Sequence, residues 1–194
     1  MSVRPPDLSS LGLVTEGAPG SWAVFSQDRA YRYMLARTWD PYDQGDSLFA
    51  DPVRPLMVFV MLNPSTADAF KPDPTITRCL GFAKRERCGG ILVVNLCGYR
   101  ATDPKALLKV ADPVGPHNEE LVQRALRNPL MAIGVAAWGA ISPRVRQRAS
   151  GIIVAAKCSR SLWCLGKTKA GEPRHPLMLA ASAPLERLAD GKPW

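Results

Sequence analysis

Apolar and polar positions fall in blocks along this chain, and the blocks change period. Leu56-Met57-Val58-Phe59-Val60-Met61-Leu62 is an unbroken apolar run that stops at Asn63-Pro64-Ser65-Thr66-Ala67-Asp68. Ile91-Leu92-Val93-Val94 stops in the same way at Asn95, and residues 131–138 are apolar throughout. Short apolar runs bounded by turn residues predict strands buried on both faces, as in a parallel sheet. Between the first two, Asp73-Pro74 supplies a capping carboxylate and a proline suited to the first helical position. This predicts a helix over 74–87, ended by Gly89-Gly90, and the strand, helix and strand together have the length of a right-handed parallel crossover.

The same punctuation continues downstream. Asp103-Pro104 predicts a short helix, and Leu121, Val122, Ala125 and Leu126 have the spacing of a helix over 117–128. Ser142-Pro143 caps a basic helix whose far end is weakened by Ser150-Gly151. A last short strand is expected over 161–165 and a final helix over 183–190. Upstream, residues 31–37 carry β-favouring aromatics and predict an edge strand or half of a hairpin, followed by an acidic turn region through Asp40, Asp43, Asp46 and Asp51. Residues 1–21, rich in Pro, Ser and Gly, are expected to form an arm that is loosely ordered or wraps the surface, leaving 22–194 as a single α/β domain.

Composition narrows the class. With 194 residues, 46% of them hydrophobic, the chain can bury one substantial core. No apolar run approaches the ~20 residues of a membrane span, and the first residues lack the pattern of an export signal, so a cytoplasmic protein without membrane association is expected. Five cysteines without a CxxC pair, alongside two histidines, make a poor metal set and predict reduced, mostly buried thiols; no cofactor is implied. The net charge of +8 is unevenly placed. Residues 141–176 hold Arg144, Arg146, Arg148, Lys157, Arg160, Lys167, Lys169 and Arg174 against Glu172 alone, a local excess of +7. Such a segment is either a solvated helix face or a surface for a polyanion, of which DNA is the natural candidate, with Arg144, Arg146, Lys167, Lys169 and Arg174 as contacts.

In open α/β sheets ligands sit beyond the carboxyl ends of strands. Asn63, Ser65 and Asp68, then Asn95, then Trp138 with Gly139, then a loop reaching His175 would meet there. An asparagine at one strand end often only starts a turn, but two of them favour a polar pocket. Asn95 offers a paired donor and acceptor that match a pyrimidine edge, Asn63 or Asp68 can hold a water, and His175 can donate toward developing negative charge. Phe70 is placed to cover an aromatic ring.

Leu62-Asn63-Pro64-Ser65, Leu92-Val93-Val94-Asn95-Leu96, Ala136-Ala137-Trp138-Gly139 and Arg174-His175-Pro176-Leu177 resemble, in that order, the motifs of the uracil-DNA glycosylase superfamily. The resemblance implies a three-layer α/β/α sandwich around a four-stranded parallel sheet. It also implies that Asn63 positions the hydrolytic water, Asn95 reads the base edge and His175 faces the base carbonyl, with Asp68 in reserve for the water. Met61 stands where that superfamily usually has glycine, and Leu177-Met178 replace the usual serine and proline. In related enzymes an aromatic residue at the position of Ser65 excludes substituents on carbon five of the pyrimidine, so Ser65 implies room for an enlarged, phage-modified base. A second resemblance, carried by Asn63-Pro64-Ser65 with Asp68, Asp73-Pro74-Thr75, Asn95-Leu96 and Arg100-Ala101-Thr102-Asp103-Pro104, is to a bacterial and phage domain family of unknown function and spans roughly residues 30–180. The expectation is a monomeric, monofunctional DNA glycosylase acting on an extruded uracil-like or modified pyrimidine, in repair or antiviral defence. A non-catalytic nucleic-acid-binding module and a nucleotide or nucleoside hydrolase are the alternatives.

Overall fold

Strand formation follows the apolar runs and extends beyond them. The computed structural model describes residues 4–39, 55–158 and 162–188. Its strands are β1 (Val14–Ala18), β2 (Ser21–Phe25), β3 (Arg32–Thr38), β4 (Leu56–Met61), β5 (Gly90–Asn95), β6 (Met131–Ala136), β7 (Leu162–Cys164) and β8 (Glu186–Arg187). Its α-helices are α1 (Pro74–Arg85), α2 (Asn118–Leu126), α3 (Pro143–Arg148) and α4 (Ser150–Lys157). Short 3₁₀ turns occupy Ser9–Leu11, Pro104–Leu108 and Pro176–Met178.

All eight strands join one mixed sheet in the order β1-β2-β3-β5-β4-β6-β7-β8. The expected sheet of four strands is thus too small. β5, β4, β6 and β7 pair in parallel, while β1, β2 and β3 on one side and β8 on the other pair antiparallel. β3 is an interior strand bonded to both β2 and β5, so the edge assignment for residues 31–37 fails while the hairpin assignment holds.

Period-two alternation sorts the buried side chains onto two faces. Leu56, Val58, Val60, Leu92 and Val94 pack with Leu121, Val122 and Ala125 of α2 and Ile152, Ile153 and Ala156 of α4. Met57, Phe59, Ile91 and Val93 pack with Ile76, Cys79, Phe82 and Ala83 of α1. Every residue of β4 and β5 is buried, which is why their sequences show no polar alternation.

Helix starts follow the sequence closely. Asp73 accepts from Ile76 N–H at 2.8 Å with Pro74 at the first position, and Ser142 Oγ accepts from Val145 N–H at 3.3 Å. The basic helix breaks at Ala149 into α3 and α4. The end of α1 differs from expectation. Its left-handed residue is Arg87 (φ 57°), and Cys88 N–H reaches Ala83 O at 2.9 Å. Gly90 serves the sheet instead, because a Cβ there would lie 2.6 Å from Thr38 Cγ2 and 2.7 Å from Arg37 O.

Two further expectations are corrected. Within residues 1–21, β1 forms a hairpin with β2, with Ala18 opposite Ser21 across a Pro19-Gly20 turn in which Gly20 has φ 90°. The Pro and Gly that suggested a loose arm are hairpin punctuation. The final helix is absent from the described part of 183–190, where β8 pairs with β7. Arg78 donates to Leu179 O and Arg85 to Ala181 O and Ala183 O, so α1 satisfies carbonyls along an extended path. The acidic turn region through Asp40, Asp43, Asp46 and Asp51 lies outside the described residues, as does Arg160. Among the described residues no helix is long and apolar enough to cross a membrane. All five cysteines are free, with Cys158 exposed and the other four buried.

Phe59 is fully buried between the central strands and α1. Phe59→Ala is expected to lower the unfolding free energy by about 3–5 kcal/mol, read from urea denaturation; a loss below ~1 kcal/mol would contradict this packing.

Candidate active site

The chain's crossovers create a crevice before any side chain is considered. After β4 the chain passes through α1 on one face of the sheet, and after the neighbouring β6 it passes through α3 and α4, of which α4 packs on the other. Connections that part to opposite faces leave a gap beyond the strand ends, where ligands bind in open α/β sheets. A cavity of about 590 Å³ occupies that place, lined from β4 and its loop by Met61, Leu62, Asn63, Ser65 and Thr66, from β5 by Asn95, and from the β6 loop by Trp138, Gly139 and Ala140.

Asn63 sits one turn beyond β4 with its amide nitrogen fully engaged. Nδ2 donates to Ala101 O at 2.7 Å and to Pro64 O at 3.0 Å, which leaves Oδ1 as the atom this side chain can offer a ligand. The same two loops are zipped together by Ala101 N–H to Pro64 O at 2.9 Å. Asn95 is the opposite case. It is 1% exposed, and neither Nδ2 nor Oδ1 has a hydrogen-bond partner. Its backbone is fixed from behind, because Asn118 Nδ2 donates to Asn95 O at 2.9 Å. A buried amide with both ends unsatisfied costs about 1–3 kcal/mol per group, a cost that a donor–acceptor pair reaching this side chain would remove.

His175 reaches the cavity from the loop after β7, close against Gly139, whose Cβ would stand 3.4 Å from the His175 Cβ. Its Nδ1 accepts from Leu177 N–H at 3.4 Å, which leaves the neutral ring's proton on Nε2. Burial pushes the imidazole below its ordinary pKa, while the charge of Asp73 works in the other direction. At neutral pH His175 is therefore an uncharged donor through Nε2.

Trp138 lines the cavity, but its indole N–H is used within the protein, donating to Glu172 Oε2 at 3.0 Å. Glu172 is also ion-paired with Arg146. This chain of contacts ties the β6 loop, α3 and the His175 loop together, and Arg146 is thereby a structural cation rather than a free DNA contact. Arg144, Lys167, Lys169 and Arg174 are exposed, and none of them lines the cavity, so the expected basic rim is not part of its wall.

Two other expected site residues lie elsewhere. Asp68 Oδ1 accepts from Phe70 N–H and Lys71 N–H, both at 2.8 Å, and these bonds hold its carboxyl below the usual range. Its carboxylate closes a turn and does not line the cavity. Phe70 is 77% exposed and also stands outside, so it covers no ring there. Ser65 does line the cavity.

Sequence reasoning missed Arg32 and Asp73. Arg32, on β3, lines the cavity at 2% exposure and donates to Ala67 O at 2.5 Å. Burial pulls its guanidinium down to about 10, with Asp73 opposing, so it remains charged at neutral pH. An arginine inside a strand of buried residues was the available signal. Asp73 was legible only as a helix cap, although the residue also belongs to the cavity wall. Among the described residues no three His, Cys, Asp or Glu side chains gather as metal ligands would.

The fold and this crevice define an α/β protein with a cavity at the carboxyl ends of its parallel strands. The chain belongs to the family described as Protein of unknown function (DUF1643), which matches residues 32–177 and so takes in every strand from β3 to β7 and the whole cavity wall. No curated protein and no solved structure matches it.

The depressed pKa of His175 sets a direction for pH dependence. Between its folded value and the ordinary 6.5, the unfolded chain binds more protons at this site than the folded one. The stability contributed by the neutral ring is therefore complete above 6.5 and declines as pH falls through that window. Imidazole NMR is expected to show His175 titrating below 6.5, and His175→Gln to flatten the acid limb of the stability curve; a pKa above 6.5 would contradict the geometry.

Proposed function

We propose that this protein is a DNA glycosylase that hydrolyses the N-glycosidic bond of an extruded pyrimidine-type base and leaves an abasic site. The observation that carries the reading is Asn95, which lines the same cavity as Asn63 and His175 and whose buried amide has no partner within the protein. The pairing edge of a pyrimidine presents adjacent donor and acceptor atoms and would satisfy both ends of that amide at once. The resemblance of the motifs around Asn63, Asn95 and His175 to those of the uracil-DNA glycosylase superfamily supports the same roles, as does the run of parallel strands at whose ends they stand.

Each role follows from ordinary chemistry. Breaking the glycosidic bond places negative charge on the departing base, and a neutral imidazole donating to its carbonyl stabilises that charge without first giving up a proton of its own. Asn63 orients water through Oδ1 toward the anomeric carbon. The flat indole of Trp138, held by Glu172, forms part of the wall against which the base is placed. The cavity exceeds what one pyrimidine ring fills, and Ser65 is small, which favours a base enlarged at carbon five. The exposed Arg144, Lys169 and Arg174 supply attraction for the phosphate backbone outside the pocket.

Purified protein would be incubated with duplex and single-stranded DNA containing uracil, 5-hydroxymethylpyrimidine or a glucosylated pyrimidine, then treated with alkali. Strand scission at the base is expected with at least one of these. Asn95→Ala and His175→Ala are each expected to slow release by about 10²–10³ while retaining DNA binding. No release from any substrate with bound DNA confirmed would support a non-catalytic binding module, and release from free nucleosides in preference to DNA would support a nucleoside hydrolase.

A further inference from the structure

We propose that Asp73, the residue that caps α1, is the carboxylate that faces the sugar in the cavity, where it accepts the proton of the attacking water and offsets positive charge on the deoxyribose ring. This inference rests on the excision reading for its reaction and on the cavity's geometry for its charge.

Displacing a base from a sugar passes through an oxocarbenium-like state, which a carboxylate beside the ring stabilises. The cavity offers few candidates. Asn63 is neutral and has both amide hydrogens committed to Ala101 O and Pro64 O. Asp68 is turned into its own backbone turn. Among the described residues, Asp73 is the acidic residue in the cavity wall. Its placement is fixed, because Oδ1 accepts from Ile76 N–H at 2.8 Å, so the carboxylate does not swing when substrate enters. Its charge is felt by groups on other walls, since it favours the protonated forms of both His175 and Arg32. The unpartnered amide of Asn95 lies in the same space and gives the base its own place. In the step itself the bond from C1′ to the base nitrogen breaks with its electron pair leaving on the base. The water oxygen then bonds to C1′, and its proton passes to Asp73.

Asp73→Asn tests this cleanly, because asparagine caps a helix as well as aspartate does while the charge is removed. The measurement compares binding of two DNA duplexes, one carrying a cationic pyrrolidine in place of the sugar and one carrying a neutral tetrahydrofuran. Wild-type protein is expected to prefer the cationic duplex by between about ten-fold and a thousand-fold, the range for opposite charges in contact in a partly dry site. Asp73→Asn is expected to lose that preference, keep its affinity for the neutral duplex and keep its melting temperature. Base release by Asp73→Asn should fall with it. No preference in wild type, or a preference that survives Asp73→Asn and disappears in Asn63→Ala, would overturn the assignment. A preference that depends on Asp73, in a protein that releases no base from any DNA, would uphold the cation-facing role and overturn the excision reading alone.

Discussion

Two buried guanidiniums of β3 hold the loop that makes this site possible. Arg32 donates to Ala67 O, Arg37 donates to Asp68 O, and Ser21 Oγ of β2 donates to Ala69 O at 2.7 Å. A charged group this far from water is tolerated only when its protons find acceptors, and a planar guanidinium can reach several carbonyls at once. Three successive carbonyls of the loop after β4 are thereby taken by the antiparallel part of the sheet. The loop cannot fall back over the ends of β4 and β6, and the crevice between them stays open.

The opposite wall is built by a different device with the same result. Trp138, at the end of β6, and Arg146, on α3, both bond Glu172, which stands in the turn leading to His175. That turn closes on itself through Thr168 N–H to Glu172 O at 2.8 Å and Arg174 N–H to Gly166 O at 2.9 Å. The imidazole is carried on a backbone whose position is set from three sides. Between the two walls Asn118 fixes the end of β5 from behind, so the backbone that carries the unsatisfied amide of Asn95 is held in place. The polar cost of leaving it open is borne by strands that are otherwise wholly buried.

Much of this was legible in the sequence where a local rule governs the outcome. Asn63 and Asn95 announced themselves because each ends a buried strand, and the caps at Asp73 and Ser142 formed as their residue types require. Where a residue's fate depends on a distant contact, the sequence was silent or misleading. Asp68 beyond a strand is the pattern of a site residue and also the pattern of a residue that closes a turn by accepting from backbone N–H groups, and here the second prevails. Arg146 reads as one member of a basic cluster until Glu172, far along the chain, claims it. The antiparallel strand β1 was hidden by the Pro-Gly turn that makes it, and β8 by a helix whose arginines take the carbonyls of the path leading to it.

Arg32 shows why structural and chemical roles need not be separable here. It props the loop through Ala67 O, and its Nε is buried without a partner, so the same cation that holds the cavity open also contributes positive potential inside it. Asp73 lies within reach of that charge, and it opposes the effect of burial on Arg32. His175 sits in the field of Asp73 and remains neutral because desolvation outweighs the aspartate. A cavity with one fixed cation, one fixed anion and a neutral donor is polarised before anything binds. On the proposed excision reading, a glycosidic bond breaking into an anionic base and a cationic sugar separates charge in a way that these groups can match.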